Sequence, residues 1–223
     1  MTNPAKNGVI YYEKMRVHTK ITQSDLTPEE ALAYLKEGNE RFINNLRTNR
    51  NLLQQVNDTS EGQFPFAIIL SCIDSRTSVE LIFDQGLGDV FSARVAGNVV
   101  NEDILGSMEY AVKYAGSKLI LVLGHTKCGA ITSACSQIRD GNITHLLHKI
   151  KPAINQETVT PLDQRTGSNV SFVENVTTLN VKYAMQEIME RSDIILQLVN
   201  EGKIKLVGGI YNVESGEVTF YEA

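Results

Sequence analysis

The chain has 223 residues, 42% of them hydrophobic and 21% charged, with a formal net charge of −5 and a pI near 5.4. That length and apolar content suffice for the buried core of one α/β domain, and the acidic balance excludes the basic footprint of a nucleic-acid binder. The three cysteines are too few for a disulfide framework, Met1 to Lys20 lack the apolar stretch of a secretory signal, and no apolar run approaches the roughly 18 residues of a membrane span, so the expectation is a cytoplasmic protein in a reducing compartment.

Residues 1 to 25 are aperiodic, with Tyr11, Tyr12, Met15 and Val17 as their apolar content, and read as an arm that is ordered only by docking. Thr27-Pro28-Glu29-Glu30 combines an N-cap threonine, a proline at the first helical position and a capping-box glutamate, so a helix starts there. Leu32, Leu35, Phe42, Ile43 and Leu46 fall on its apolar stripe. Residues 47 to 62 are polar and read as loop. Phe66-Ala67-Ile68-Ile69-Leu70 is a fully apolar run, expected as a buried parallel strand.

A helix is expected over Ser78 to Phe83, stopped around Gly86-Leu87-Gly88, and a short strand over Val90 to Arg94, with Ala96-Gly97-Asn98 as a tight connection. Glu102 to Tyr114 carries Ile104, Leu105, Met108, Ala111 and Val112 at helical spacing and closes at Gly116. Leu119 to Leu123 is the next buried strand. Helices are expected over Ala130 to Arg139 and, capped by Asn142, over Ile143 to Ile150. Asn155 to Ser171 reads as loop, and Phe172 to Val199 as helix with a break at Ser192-Asp193. Lys205 to Tyr211 is a strand that Glu214-Ser215-Gly216-Glu217 turns into an antiparallel edge strand, Val218 to Tyr221. The fold class is therefore α/β, a mostly parallel four-stranded sheet with an antiparallel edge strand, flanked by helices and preceded by an N-terminal helical arm. The chain is expected to be one domain, with residues 1–50 as arm and helix and 51–223 as the α/β core.

The first buried strand runs into Ser71-Cys72-Ile73-Asp74-Ser75-Arg76, which places a thiol, a carboxylate and a guanidinium at one sheet edge, where open α/β sheets bind ligands. The second central strand ends in Gly124-His125-Thr126-Lys127-Cys128-Gly129. If the two strands are neighbours, Cys72, His125 and Cys128 meet as two thiolates and an imidazole. That donor set suits zinc and not magnesium or calcium, and three protein ligands leave a fourth position open, as catalytic zinc sites do. Cys135 has no such company and reads as a core thiol, while His145 and His148 read as a solvated helix face.

Cys72-x-Asp74-Ser75-Arg76 followed by Gly124-His125-x-x-Cys128-Gly129 resembles the β-class carbonic anhydrases, zinc enzymes that interconvert carbon dioxide and bicarbonate. The resemblance extends to Arg94-x-Ala96-Gly97-Asn98 and to the segment around Ser107 to Val112, and spans about residues 27 to 221. It implies reversible hydration of carbon dioxide to bicarbonate and a proton by attack of zinc-bound hydroxide, with Cys72, His125 and Cys128 as metal ligands. Asp74 would accept a hydrogen bond from the hydroxide, and Arg76 would hold that carboxylate off the metal. Gln63, Phe91, Ala96, Tyr110 and Gly129 match the family's substrate pocket, with Gln63, Phe91 and Tyr110 as candidates for residues supplied across a dimer interface. The resemblance thus implies a homo-oligomer, a dimer or a tetramer built of dimers, with the N-terminal helices reaching over the neighbouring subunit. Some bacterial members bind bicarbonate at an inhibitory site that needs a tryptophan; this chain has none, and Ile69 stands at the matching place. With Gln63 present, the open-site subtype is expected.

Rival chemistries fail on spacing. A cysteine phosphatase needs a C-x5-R loop, and Cys72 and Arg76 stand too close; a disulfide oxidoreductase needs a C-x-x-C pair, which the chain lacks. A hydrolase of carbonyl sulfide or carbon disulfide on the same scaffold, and a non-catalytic zinc- or bicarbonate-binding module, remain as alternatives, although the second has no use for Asp74, Arg76 and Gln63.

Overall fold

The computed structural model describes residues 17–222. Five strands form one sheet in the order β2-β1-β3-β4-β5, with β1 Ala67–Ser71, β2 Val90–Arg94, β3 Leu119–His125, β4 Lys205–Tyr211 and β5 Val218–Glu222. All neighbours pair parallel except β4 and β5, the antiparallel edge. The chain lays β2 on one side of β1 and then returns to lay β3 on the other. The strand order therefore reverses between β1 and β3, and the crevice beyond their carboxyl ends is the switch point at which such sheets bind ligands.

Both central strands are buried along their whole length because helices cover the two faces. Ala67, Ile69, Leu119, Leu121 and Leu123 face one layer, with Leu32 and Leu35 of helix α2 (Pro28–Ile43) and Val79 and Ile82 of α4 (Val79–Ile82). Ile68, Leu70, Ile120 and Val122 face the other, with Leu105 and Met108 of α5 (Glu102–Glu109) and Val181, Ala184, Met185 and Ile188 of α9 (Val170–Arg191). The period of two along each strand divides the core in this way, and each fully buried aliphatic contributes about 2 kcal/mol.

The helix at Pro28 starts as expected: Thr27 Oγ1 accepts from Glu30 N, and the Glu30 carboxylate accepts from Thr27 N at 2.9 Å. Leu32 and Leu35 are buried on the chain's own core, whereas Ile43 and Leu46, at and past the helix end, are exposed.

Several elements differ from expectation. The described part of the arm contains a short helix, α1 (Lys20–Asp25), where none is expected. It is held by polar contacts that hydrophobic periodicity does not reveal: buried Gln23 donates to the Pro65 carbonyl at 2.7 Å and the Ala115 carbonyl at 2.8 Å. His18 packs its ring against Phe66. Tyr11, Tyr12 and Met15 lie outside the described residues. Within the expected loop 47–62 stands α3 (Leu52–Asp58), whose Leu52, Leu53 and Val56 are exposed while Gln55 is buried, the reverse of an amphipathic pattern. The helix from Glu102 changes at Tyr110 to a wider π turn, Tyr110–Tyr114, in which Ala115 N bonds to Tyr110 O. The helix after Cys128, α6 (Gly129–Cys135), ends before Arg139 because Gln137 turns to a φ of 56°. The next, α7 (Gly141–His148), begins ahead of Asn142, and Pro152 opens a further helix, α8 (Lys151–Gln156), that is not expected. Ser192 N-caps α10 (Asp193–Asn200) at the expected break.

Gly38 sits where α2 crosses the end of α4, and a Cβ there would collide with the Phe83 carbonyl. Gly38→Ala should lower stability by about 2 kcal/mol through overpacking against backbone, read as the midpoint of urea denaturation. An unchanged midpoint would show that the two helices can separate freely.

Candidate metal centre

Cys72 follows β1 directly, and His125 is the last residue of β3. Ser71 is in register with Leu123, so Cys72 emerges level with Gly124, and His125 projects from the same edge. The Lys127 backbone, at a φ of 56°, then folds the chain back so that Cys128 leads into α6. The Sγ atoms of Cys72 and Cys128 and a ring nitrogen of His125 lie within 4.8 Å of one another, all three residues buried. Among the described residues this is the one such group of histidine, cysteine and carboxylate ligands.

The donors fit a metal chemically as well as spatially. His125 Nδ1 lies 2.9 Å from the Thr126 carbonyl, which can only accept, so Nδ1 carries the proton and Nε2 keeps its lone pair. Nε2 is buried without a hydrogen-bond partner, an arrangement that costs free energy unless a metal ion or similar group takes the lone pair. The two sulfurs stand 4.0 Å apart. Their contact, as the largest cause, lets one thiol of the pair ionise more readily and holds the other back. Two soft sulfurs and a neutral imidazole nitrogen form a set that suits zinc.

Asp74 and Arg76 form a bidentate pair, Nε to Oδ1 at 2.9 Å and Nη2 to Oδ2 at 2.8 Å, and the Arg76 amide adds a third bond to Oδ1 at 3.0 Å. These contacts, the guanidinium bonds first, hold the Asp74 carboxyl well below the usual carboxylate range. Its Oδ2 lies 4.0 Å from His125 Nε2. The carboxylate thus stands beside the ligand cluster while both its oxygens are engaged by arginine.

Two residues without an expected role shape the loop. Arg94 donates to the Cys72 carbonyl at 3.0 Å and the Asp74 carbonyl at 2.7 Å, and buried Thr77 has its hydroxyl 2.8 Å from the same Asp74 oxygen. They fix the backbone between thiol and carboxylate, and the Arg94-x-Ala96-Gly97-Asn98 motif was the available signal for the first of them.

The expected pocket residues fall in separate places. Ala96 lies beside Gly97, whose amide donates to Cys72 Sγ at 3.4 Å, and Gly129 opens α6, where a Cβ would meet no atom within 4 Å. Both flank the cluster. Phe91 and Tyr110 line a cavity of about 710 Å³ with Ile68 and Ile104, and none of the three cluster residues lines it. Gln63 is exposed ahead of β1, at the strand end opposite Cys72. Within one chain, Gln63 does not meet the cluster. His145 and His148 are exposed, and Cys135 is buried with its thiol raised to about 11 by burial.

The doubly covered, mostly parallel sheet with a Cys-His-Cys cluster at its switch point defines an α/β protein of metalloenzyme type. Residues 67–218 match the model of the family described as carbonic anhydrase. The chain is 36% identical over 197 residues to carbonic anhydrase 2 of Mycobacterium tuberculosis, covering 85% of this chain and 90% of that one. It is 33% identical to the carbonic anhydrase of Mycolicibacterium smegmatis, over 86% and 92% of the two chains. Among solved structures, the β-carbonic anhydrase CafA of Aspergillus fumigatus superposes with a TM-score of 0.69 at 25% identity, covering 86% of this chain and 89% of that one. The chain belongs to the β-class carbonic anhydrases and is an enzyme, a carbonate dehydratase.

The lowered Asp74 carboxyl has a consequence for pH. A depressed acid stabilises the fold above its unfolded midpoint of about 3.9, and that contribution is lost as pH falls through the lowered value. The Asp74 side-chain carbon, followed by NMR, should therefore show no titration near 3.9 in the native chain, and Arg76→Ala should bring the midpoint back toward it. A native midpoint near 4 would mean that the bidentate pair does not persist in solution.

Proposed function

We propose that the chain catalyses zinc-dependent, reversible hydration of carbon dioxide to bicarbonate and a proton, with Cys72, His125 and Cys128 holding the metal. The observation that carries this reading is the convergence of two sulfurs and a hydrogen-bond-free imidazole nitrogen beside a carboxylate clamped by arginine. Zinc supplies a Lewis acid that makes a nucleophile of water near neutral pH. The rest is done by the chain. Asp74 accepts a hydrogen bond from the attacking water and fixes the direction of its lone pair, and its lowered pKa keeps it an ionised acceptor at every working pH. Arg76 stops the carboxylate from closing on the metal, which makes this an open-type site.

Ala96 and Gly129 flank the reacting position. Gln63, Phe91 and Tyr110 complete the substrate pocket from a neighbouring copy, because Gln63 stands at the wrong end of β1 to reach its own cluster. The functional unit is accordingly a dimer or a tetramer built of dimers; tetrameric β-carbonic anhydrases of Sordaria macrospora share the fold. Residues 1–223 act as one domain, with residues 1–50 as arm and helix and 51–223 as the core. Cytoplasmic residence agrees with buried free thiols and with the absence, among the described residues, of a helix long and apolar enough to cross a membrane.

Protein purified under reducing conditions should contain one zinc per chain and hydrate carbon dioxide in a stopped-flow assay, and Cys72→Ser should lose both. Asp74→Asn should keep its zinc but fall about 100-fold in turnover, and Arg76→Ala should also keep zinc while slowing. A native chain with stoichiometric zinc and no hydration would sink the catalytic reading, whereas a chain without zinc would sink the metal centre itself. Bicarbonate should inhibit without cooperativity, since Ile69 stands where the inhibitory site needs tryptophan; a sigmoidal inhibition curve would refute the open-type assignment.

A further inference from the structure

We propose that Asn180, far from the motifs in sequence, is a positioning residue for Cys72. Its Nδ2 donates to the Gly97 carbonyl at 2.9 Å, and the Gly97 amide donates to Cys72 Sγ at 3.4 Å. One buried amide therefore holds the Gly97–Asn98 peptide, and across the Gly97 Cα it constrains the adjoining Ala96–Gly97 peptide, whose N–H points at the sulfur. Gly97 needs that support. Its φ of 68° is a conformation that side chains rarely adopt, and the space where a Cβ would stand is bounded by Ile150 at 3.0 Å and Ala130 at 3.3 Å.

The placement of Asn180 is itself fixed by packing on β3. Its neighbour Val181 lies against two glycines: a Cβ on Gly124 would be 2.6 Å from Val181 Cγ2, and one on Gly208 would be 3.0 Å from Val181 Cγ1. Helix α9 can approach the sheet this closely only because both positions lack side chains. The turn of α9 that seats against Gly124, one residue before His125, thus also carries the amide that holds the Gly97 carbonyl.

The consequence concerns sulfur as a donor. An N–H bond to a thiolate draws charge from it, so a ligand that keeps this bond donates less to its metal than one that loses it. Asn180 would set the donor strength of Cys72, a proposal that rests on the reading of Cys72 as a metal ligand.

The test replaces zinc by Co(II) and follows the sulfur-to-cobalt charge-transfer band in the near ultraviolet. Native protein should show the band. Asn180→Leu, similar in volume but without a donor, should shift it to longer wavelength as the sulfur electrons rise in energy. Val181→Ala, which loosens the same helix without touching either hydrogen bond, should lower the melting temperature and leave the band in place. Should Asn180→Leu not fold, Asn180→Ala is read instead. An unshifted band in the Asn180 variant, or an equal shift in Val181→Ala, overturns the positioning role. Absence of the band from the native protein would instead overturn the metal reading, so the two failures are distinguishable.

Discussion

The pairing of β1 with β3 is the constraint on which the site depends. Each strand ends in a short polar sequence, and neither alone assembles anything: Cys72 directly follows β1, whereas His125 ends β3 and Cys128 lies in the turn beyond it. Parallel register between Ser71 and Leu123 brings the two ends level at the point where strand order reverses. The hydrophobic energy of two fully buried strands, covered on both faces, therefore also holds two sulfurs and an imidazole in one place.

Around that pairing, the polar contacts have distinct tasks. Arg76 grips the Asp74 carboxylate by its oxygens, while Arg94 grips the backbone carbonyls of Cys72 and Asp74. One arginine controls where the charge points and the other where the loop lies. Beyond β3, Thr126 bonds through its amide to the Tyr211 carbonyl and through its hydroxyl to the Val213 amide, which ties the His125–Cys128 turn to the end of β4. The cluster is held from both neighbouring strands, so its geometry can be rigid although Cys72 and Cys128 lie just beyond strand ends.

Much of this was legible because parallel-sheet strands and reactive loops leave local signatures. Five apolar residues running into a cysteine, an aspartate and an arginine indicate both a strand and the edge at which it stops. The capping box at Thr27 and the break at Ser192 were similarly readable, since caps act within one turn. The missed helices were those held by polar or distant contacts. Nothing in Lys20–Asp25 shows that Gln23 will bury its amide between Pro65 and Ala115, and Leu52, Leu53 and Val56 gave no inward face because they have none in this chain. The π turn at Tyr110 was hidden for the same reason: one extra residue in a turn leaves the apolar spacing nearly unchanged.

The sequence by itself determined which residues could ligate a soft metal and which carboxylate and guanidinium stand beside them, because residue type and short spacing set donor chemistry directly. Only the tertiary structure decided that the two strand ends meet, that His125 presents Nε2 without a partner, and that Arg94 holds the Cys72 and Asp74 carbonyls while Asn180 holds that of Gly97. Those facts depend on strand register and on how closely a helix may approach glycines in a sheet. Such quantities arise from packing between segments far apart in the chain, and no local pattern encodes them.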